Sequence, residues 1–307
     1  EGKEPGLEAL AKKVAKMGTL EGTTDPARYA DADYILVMVQ TPVGSEDKIP
    51  AYTHLKAALK DIGTHMQKGV TVIIESTIAP GTCEHVIKPE LEKHSGMTCG
   101  KDFYLAHCPE RLMPGHMIEN VTEYNRVIGG YNKVSAERAK ALYKHIVKGD
   151  LDITTCTTAE VVKTTENTYR DVQIAFANEI ALICEALGAN VWEVRELVNK
   201  CKKITDTRPE ALRQMHYPGA GVGGHCIPKD SWLLISRVRD EVNPKIIPDA
   251  RAVNDFMPLH MFELLTDAAE ESGKSVNDLQ AAVLAYAYDA NSDDTRNTPT
   301  EGLLSKL

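Results

Sequence analysis

The sequence has no excess of basic residues: 35 Lys and Arg stand against 44 Asp and Glu, a net charge of −9. That balance argues against a nucleic-acid surface, which needs a basic patch, although local Lys and Arg still decide whether an anionic ligand binds. Long apolar runs are missing too. The longest, such as Ile35–Val39 and Ala281–Ala287, fall far short of a membrane span, and no signal-peptide pattern is visible at Glu1. The seven cysteines, at 83, 99, 108, 156, 184, 201 and 226, include no Cys-x-x-Cys pair. A dispersed, odd set reads as reduced thiols in a cytoplasmic protein. Cys83 near His85, and His107 beside Cys108, lack a second pair at zinc spacing, so no metal is expected. What is there is ordinary for a globular chain: 307 residues, 43% hydrophobic and 26% charged, enough for more than one domain.

Short β-branched runs alternate with helical periodicity in the first half. Tyr34–Val39, Val70–Ile74, Phe103–Ala106 and Arg126–Ile128 read as strands, with a further strand at Leu151–Thr154. Helical patterns lie at 51–67, through about Leu91, and at 135–147. That order predicts a doubly wound α/β unit with a parallel sheet, its polar loop residues at the carboxyl ends of the strands, where such sheets bind ligands. From Thr158 to about Leu187 the pattern is one long helix ended by Gly188, and Val191–Cys201 and 248–272 continue as helices. Gln280–Ala287 reads as a strand opening another domain. The expected domains are therefore 1–155, 156–274 and 275–307. The chain opens in a loop where strand, glycine turn and helix are expected, so it looks like the middle of a longer protein.

Two constellations carry chemistry. In Gly219-Ala-Gly-Val-Gly-Gly-His-Cys226-Ile-Pro228-Lys-Asp230, four glycines leave backbone bare, so a bulky ligand can come close. Pro228 favours a helix start, which puts Cys226 near a helix N-terminus where partial positive charge and Lys229 would favour the thiolate. Gly219, Gly221 and Gly224 fit a dinucleotide fingerprint, but Arg213–Pro218 ahead of them is no buried strand, so that reading is rejected. A lone cysteine is more often a small buried hydrophobe, and the neighbours decide the matter here. On the long helix, Lys163, Asn167 and Arg170 at i, i+4 and i+7 share one face. Apolar neighbours (Val161, Val162, Ile174, Ala175, Phe176, Ala177, Ile180) imply that this helix is largely buried, and a buried Lys is costly without a role.

Taken together, Lys163-x-x-x-Asn167, Asn178-Glu179, Gly221–Asp230, Asp293-Asp-Thr-Arg296, Glu75-Ser-Thr77, Pro109-Glu-Arg111 and Arg251-x-x-Asn254-x-x-x-Pro258 resemble the nucleotide-sugar 6-dehydrogenases, in the right order over nearly the whole chain. His225 and Pro109–Gly115 are similar to the UDP-N-acetylhexosamine branch of that family, and Arg170 also fits it. The resemblance implies a four-electron oxidation of a sugar C6 alcohol to a carboxylate with two NAD. It implies Cys226 as nucleophile, Lys163 as proton donor and acceptor or oxyanion stabiliser, and Asn167 as a hydrogen-bonding partner of the intermediate. Glu110, Thr77 and Asp230 would position the hydrolytic water. Arg111, Leu112, Lys163, Asn167, Arg170 and Gly223 would hold the UDP-sugar, and Thr41, Thr77 and Arg296 the NAD. A homodimer through residues 158–187 is expected.

Departures accompany the likeness. The glycine turn and ribose-binding acid of the NAD domain are missing, so NAD against NADP stays open. Asp289 stands where the family usually has Lys, and Arg213 is a candidate for a missing upstream Arg. UDP-glucose and GDP-mannose remain alternative substrates. A two-electron β-hydroxyacid dehydrogenase and a non-catalytic nucleotide-sugar-binding or dimerisation protein remain alternative functions.

Overall fold

The structure, a computed structural model, describes residues 4–112, 115–200, 214–288 and 294–307. Two compact units divide the chain: Glu1–Thr165 with Trp232–Arg237, and Glu166–Ser231 with Val238–Leu307. Asp289 and Arg213, with Pro114 of the Pro109–Gly115 segment and Asp293 of the Asp293–Arg296 segment, fall outside the described residues.

The first unit is a five-stranded sheet in the order β1-β2-β3-β4-β5: β1 Tyr34–Val37, β2 Thr71–Ile74, β3 Tyr104–His107, β4 Arg126–Gly130 and β5 Leu151–Thr155. Helices α1 (Leu7–Lys16), α2 (Thr53–His65), α3 (Lys88–Ser95), α4 (Met117–Glu123) and α5 (Lys133–Tyr143) accompany it. Every residue of β2 is buried, which is why Val72–Ile74 reads as a continuous apolar run rather than an alternation. Val72 and Ile74 pack with Leu55, Leu59, Phe103 and Leu105, while Ile73 packs on the opposite face with Ile128, Ala139 and Tyr143, as the two-residue side-chain period requires. Asn132 caps α5 by accepting the Ser135 N–H at 2.8 Å.

Three expectations need correction. The sheet is not wholly parallel: β1-β2-β3 and β4-β5 are, but β3 and β4 are antiparallel, joined only through Ala106–Gly130 and His107–Gly129. The chain re-enters the sheet from beyond the carboxyl end of β3, and Gly129 and Gly130 let the end of β5 and the start of α5 lie close against β4. A Cβ on Gly130 would meet the Ala136 nitrogen at 2.6 Å. Residues 280–287 form no strand; the run is apolar, but no neighbouring strand among the described residues pairs with it. The loop expected over Glu1–Leu7 is shorter by one residue among those described, since α1 begins at Leu7.

The second unit is helical. Helix α6 (Cys156–Leu187) begins in the first unit and continues here, followed by α7 (Val191–Lys200), α8 (Ile227–Ile235), α9 (Arg239–Val242), α10 (Ile246–Glu271) and α11 (Pro299–Leu304). Helix α6 is less buried than its apolar sequence implies, because Val161 and Phe176 are exposed.

His107 is a pH-sensitive point in the first unit. It is fully buried, with Nδ1 at 2.9 Å from the Ile74 carbonyl, and burial pulls its pKa down from 6.5 to about 4. The unfolded chain therefore binds a proton that the fold refuses, and stability falls as pH drops from about 6.5 towards 4, by up to about 3 kcal/mol. Denaturation at pH 7 and pH 4.5 should show this loss, and His107→Leu should lose less over that window. The Ile74 carbonyl keeps the Cys108 N–H at 3.0 Å in that variant. An equal loss in both proteins would clear His107.

Candidate active site

In the first unit the loops leaving β1 and β2 are sewn together. Ser76 Oγ accepts the Val39 N–H at 2.8 Å and donates to the Val39 carbonyl at 2.7 Å. Thr41 Oγ1 donates to the Thr77 carbonyl at 2.6 Å. Thr41 is buried and Thr77 half-buried, so the two expected cofactor residues of this unit are brought together. Glu75 is buried beneath them and accepts from the Tyr143 hydroxyl; burial pushes its pKa up. Its carbonyl receives the Glu110 N–H at 3.2 Å, which sets the start of the Glu110–Leu112 turn at the end of β3. The Glu110 carboxylate accepts from the Leu112 N–H, and Arg111 Nη1 donates to the Asn125 carbonyl at 2.8 Å. Lys163 is buried near His107, whose pKa its charge helps to lower.

In the second unit Cys226 is exposed and stands immediately before α8. Its carbonyl accepts the N–H groups of Lys229 and Asp230 at 3.1 and 2.9 Å, so it occupies the capping position, as Pro228 indicated. Asp230, in the first turn of α8, is fully buried and accepts the Asn167 side-chain N–H at 2.6 Å. Lys229 Nζ lies 3.8 Å from the other Asp230 oxygen. Asn167 and the turn that begins at Cys226 are thereby tied together.

The inward face of α6 is not quite the expected one. Arg170 is exposed, whereas Asp171, the next i+4 step after Lys163 and Asn167, is buried. Asp171 accepts from Ser231 Oγ at 2.9 Å, from Arg251 Nη1 at 2.7 Å and from Asn254 Nδ2 at 2.8 Å. Asn178, two turns on, receives the Gly219 N–H at 2.9 Å and donates to Asn254 Oδ1 at 2.9 Å. Extending the four-residue stride past Asn167 would have found Asp171; nothing in the sequence marks Ser231.

The glycines serve protein packing first, which corrects the picture of a bare cradle. Pro258 has no N–H to give the Asn254 carbonyl. Gly221, at φ 111°, faces that carbonyl, and a Cβ there would lie 2.8 Å from it. A Cβ on Gly223 would strike Tyr288 and come within 2.9 Å of Pro299, and one on Gly224 would come within 2.9 Å of the Tyr288 ring. Tyr288 was not foreseen as part of this site. Arg296 anchors the loop from the same side: its carbonyl accepts the Gly224 N–H at 2.9 Å, and its guanidinium pairs with Asp294 at 2.6 and 2.9 Å. That pairing holds the Asp294 carboxyl down at about 2. His225, beside the cysteine, has its pKa lowered by burial and by Lys229 and Arg296.

Comparison with known proteins places the two units. Residues 2–147 match the NAD binding domain of the UDP-glucose/GDP-mannose dehydrogenase family, and residues 157–256 match its central domain. The UDP-N-acetyl-D-mannosamine dehydrogenase of Pyrococcus horikoshii is 40% identical over 96% of this chain and 68% of its own length. That of Methanocaldococcus jannaschii is 40% identical over 99% of this chain and 65% of its own. The crystal structure of an NDP-N-acetyl-D-galactosaminuronic acid dehydrogenase from Methanosarcina mazei superposes with a TM-score of 0.87 at 40% identity, over 100% of this chain and 66% of that one. The chain thus spans about two thirds of the length of these relatives.

The Asp171 cluster makes a prediction. Asp171→Asn removes the charge facing the buried Arg251 and should destabilise the protein by about 3 kcal/mol, the scale for leaving a buried ion unpaired. Urea denaturation measures it, and a loss under about 1 kcal/mol would mean that Asp255, which also pairs with Arg251, suffices.

Proposed function

The chain belongs to the UDP-glucose/GDP-mannose dehydrogenase family, and on that footing we propose that it oxidises a UDP-N-acetylhexosamine, UDP-N-acetylmannosamine or an epimer, at C6 to the uronic acid. The observation that carries this reading is the Asn167–Asp230 bond. It holds Asn167, one turn on from Lys163 along α6, against the first turn of the helix that Cys226 heads.

The residues present fit the nicotinamide end of NAD. Thr41 and Thr77 meet at the carboxyl ends of adjacent parallel strands, the usual ligand edge of such sheets. The N–H groups of Gly81 and Cys83 are not available to a pyrophosphate, because both are given to Glu160. Bound NAD supplies hydride acceptance for each of the two oxidations.

The chain's own residues do the rest. Lys163 takes up the proton of the C6 hydroxyl and stabilises the oxyanion. Cys226 Sγ then forms a bond to the aldehyde carbon, giving a thiohemiacetal whose oxidation yields a thioester. Asn167 hydrogen-bonds the intermediate. Asp230, Glu110 and Thr77 position the water that attacks the thioester carbonyl, releasing the carboxylate and restoring the thiol. Arg111, Leu112, Arg170 and Gly223 hold the nucleotide sugar, and Arg296 holds the cofactor.

A second copy of the chain is the proposed partner. Tyr169, Phe176, Ile183 and Leu187 leave an exposed apolar line along α6, at spacings of seven, seven and four, which suits helix-on-helix packing. The described cysteines are free, in keeping with a cytoplasmic setting, and none of the described helices is long and apolar enough to cross a membrane.

Cys226→Ser tests the mechanism. The hydroxyl is a far poorer nucleophile at neutral pH, so acid formation should fall to background while calorimetric binding of the UDP-sugar stays near wild type. Normal turnover to the acid in that variant would refute covalent capture. A panel of UDP- and GDP-sugars with NAD and NADP identifies the substrate in the same assay.

A further inference from the structure

Glu160 lies three residues, less than one turn, ahead of Lys163 on α6 and is fully buried. Its two carboxylate oxygens divide their work. Oε2 accepts the Gly81 N–H at 2.5 Å, and Oε1 accepts the Cys83 N–H at 2.8 Å. These amides open the helical turn Cys83–Ile87, where N–H groups lack partners within the helix and carry partial positive charge. Burial pushes the Glu160 pKa up, and the two backbone donors and Arg237 pull against it. A carboxylate kept in such a place is costly unless its bonds accomplish something.

What they accomplish follows from the loop. Thr77 lies four residues before Gly81, and the stretch between is stiffly held. Ala79 donates its N–H to the Tyr52 hydroxyl at 3.0 Å, and that hydroxyl lies 3.0 Å from Thr82 Oγ1. Thr82 Oγ1 in turn donates to the Ala79 carbonyl at 2.6 Å. Gly81 adopts φ 83°, a conformation that side chains disfavour. The loop behaves as one piece, and Glu160 fastens that piece to α6.

We propose that Glu160 is a positioning residue that locks the Thr77–Cys83 loop to helix α6, so that Thr77 on the cofactor side and Lys163 on the proton side keep one register. The proposal rests on the roles given above to Thr77 and Lys163. A carboxylate suits the task because it offers two acceptors to two donors. A glutamine of nearly the same shape has one acceptor and turns its NH2 towards the second amide.

The test compares wild type, Glu160→Gln and Glu160→Asp by steady-state kinetics and by hydrogen exchange of the loop amides. In Glu160→Gln the Gly81 and Cys83 amides should exchange about tenfold faster or more. Its kcat should fall roughly tenfold to a hundredfold, the range for a misplacement near 1 Å, with the sugar KM within about twofold of wild type. Glu160→Asp keeps both acceptors on a shorter arm and should fall between the two; it carries the test if the Gln variant does not fold. A change of stability alone, with wild-type kcat, overturns the positioning role. So does unaltered exchange, or a kcat loss matched by an equal rise in sugar KM. Wild-type protein that yields no NADH with any nucleotide sugar overturns the proposed function as well, which separates the two failures.

Discussion

The Asp171 carboxylate is the point on which the second unit turns. It is wholly buried and accepts from Ser231 on α8, and from Arg251 and Asn254 on α10. Each partner fixes a different element against α6. Ser231 sets the helix that Cys226 heads, Arg251 and Asn254 set α10, and through Asn178 the same network reaches Gly219 at the start of the glycine loop. Pro258 then leaves the Asn254 carbonyl facing Gly221. Buried polar networks of this kind are costly when incomplete and rigid when satisfied. Here the rigidity falls on a loop whose end carries an exposed thiol.

The first unit solves a parallel problem by other means. Its catalytic candidates sit on loops beyond strand ends, and loops move unless they are tied. Ser76 and Thr41 tie the β1 and β2 loops to each other, and Glu75 ties the β2 end to the turn after β3. Glu160 ties the remainder to α6. The long helix therefore contributes buried polar groups at 160, 163, 171 and 178, with Asn167 half-buried among them, a stripe drawn by the 3.6-residue period. Its exposed apolar line at 169, 176, 183 and 187 lies at other positions. One helix thus bears the proposed catalytic residues on one face and the proposed subunit contact on another.

Much of this was legible in the sequence. Val72–Ile74 announced a buried strand through its β-branched composition, and α6, α7 and α10 announced themselves by length and period. Cys226 was placed at a helix start by Pro228, and the structure puts it at the cap. The errors have physical sources. The antiparallel β3–β4 pair rests on two residue pairs, a tertiary arrangement that no local period reports. Gln280–Ala287 has the composition of a strand, but strands exist only by pairing. Arg170 and Asp171 are adjacent, and the apolar neighbours could not tell which of them turns inward. The glycines imply room for a ligand, whereas Tyr288, Pro299 and the Asn254 carbonyl take much of that room. A glycine records close approach without recording what approaches.

Covalent capture requires that the sulfur of Cys226 carry the substrate carbon. Rapid-quench mass spectrometry of the enzyme during turnover of UDP-N-acetylmannosamine with NAD reads this directly from the peptide that contains residue 226. The predicted result is a transient adduct of the mass of the UDP-sugar acyl group on Cys226, rising and decaying with formation of the acid. Acid released at full rate while that peptide stays unmodified throughout, its thiol still open to alkylation, would contradict the mechanism.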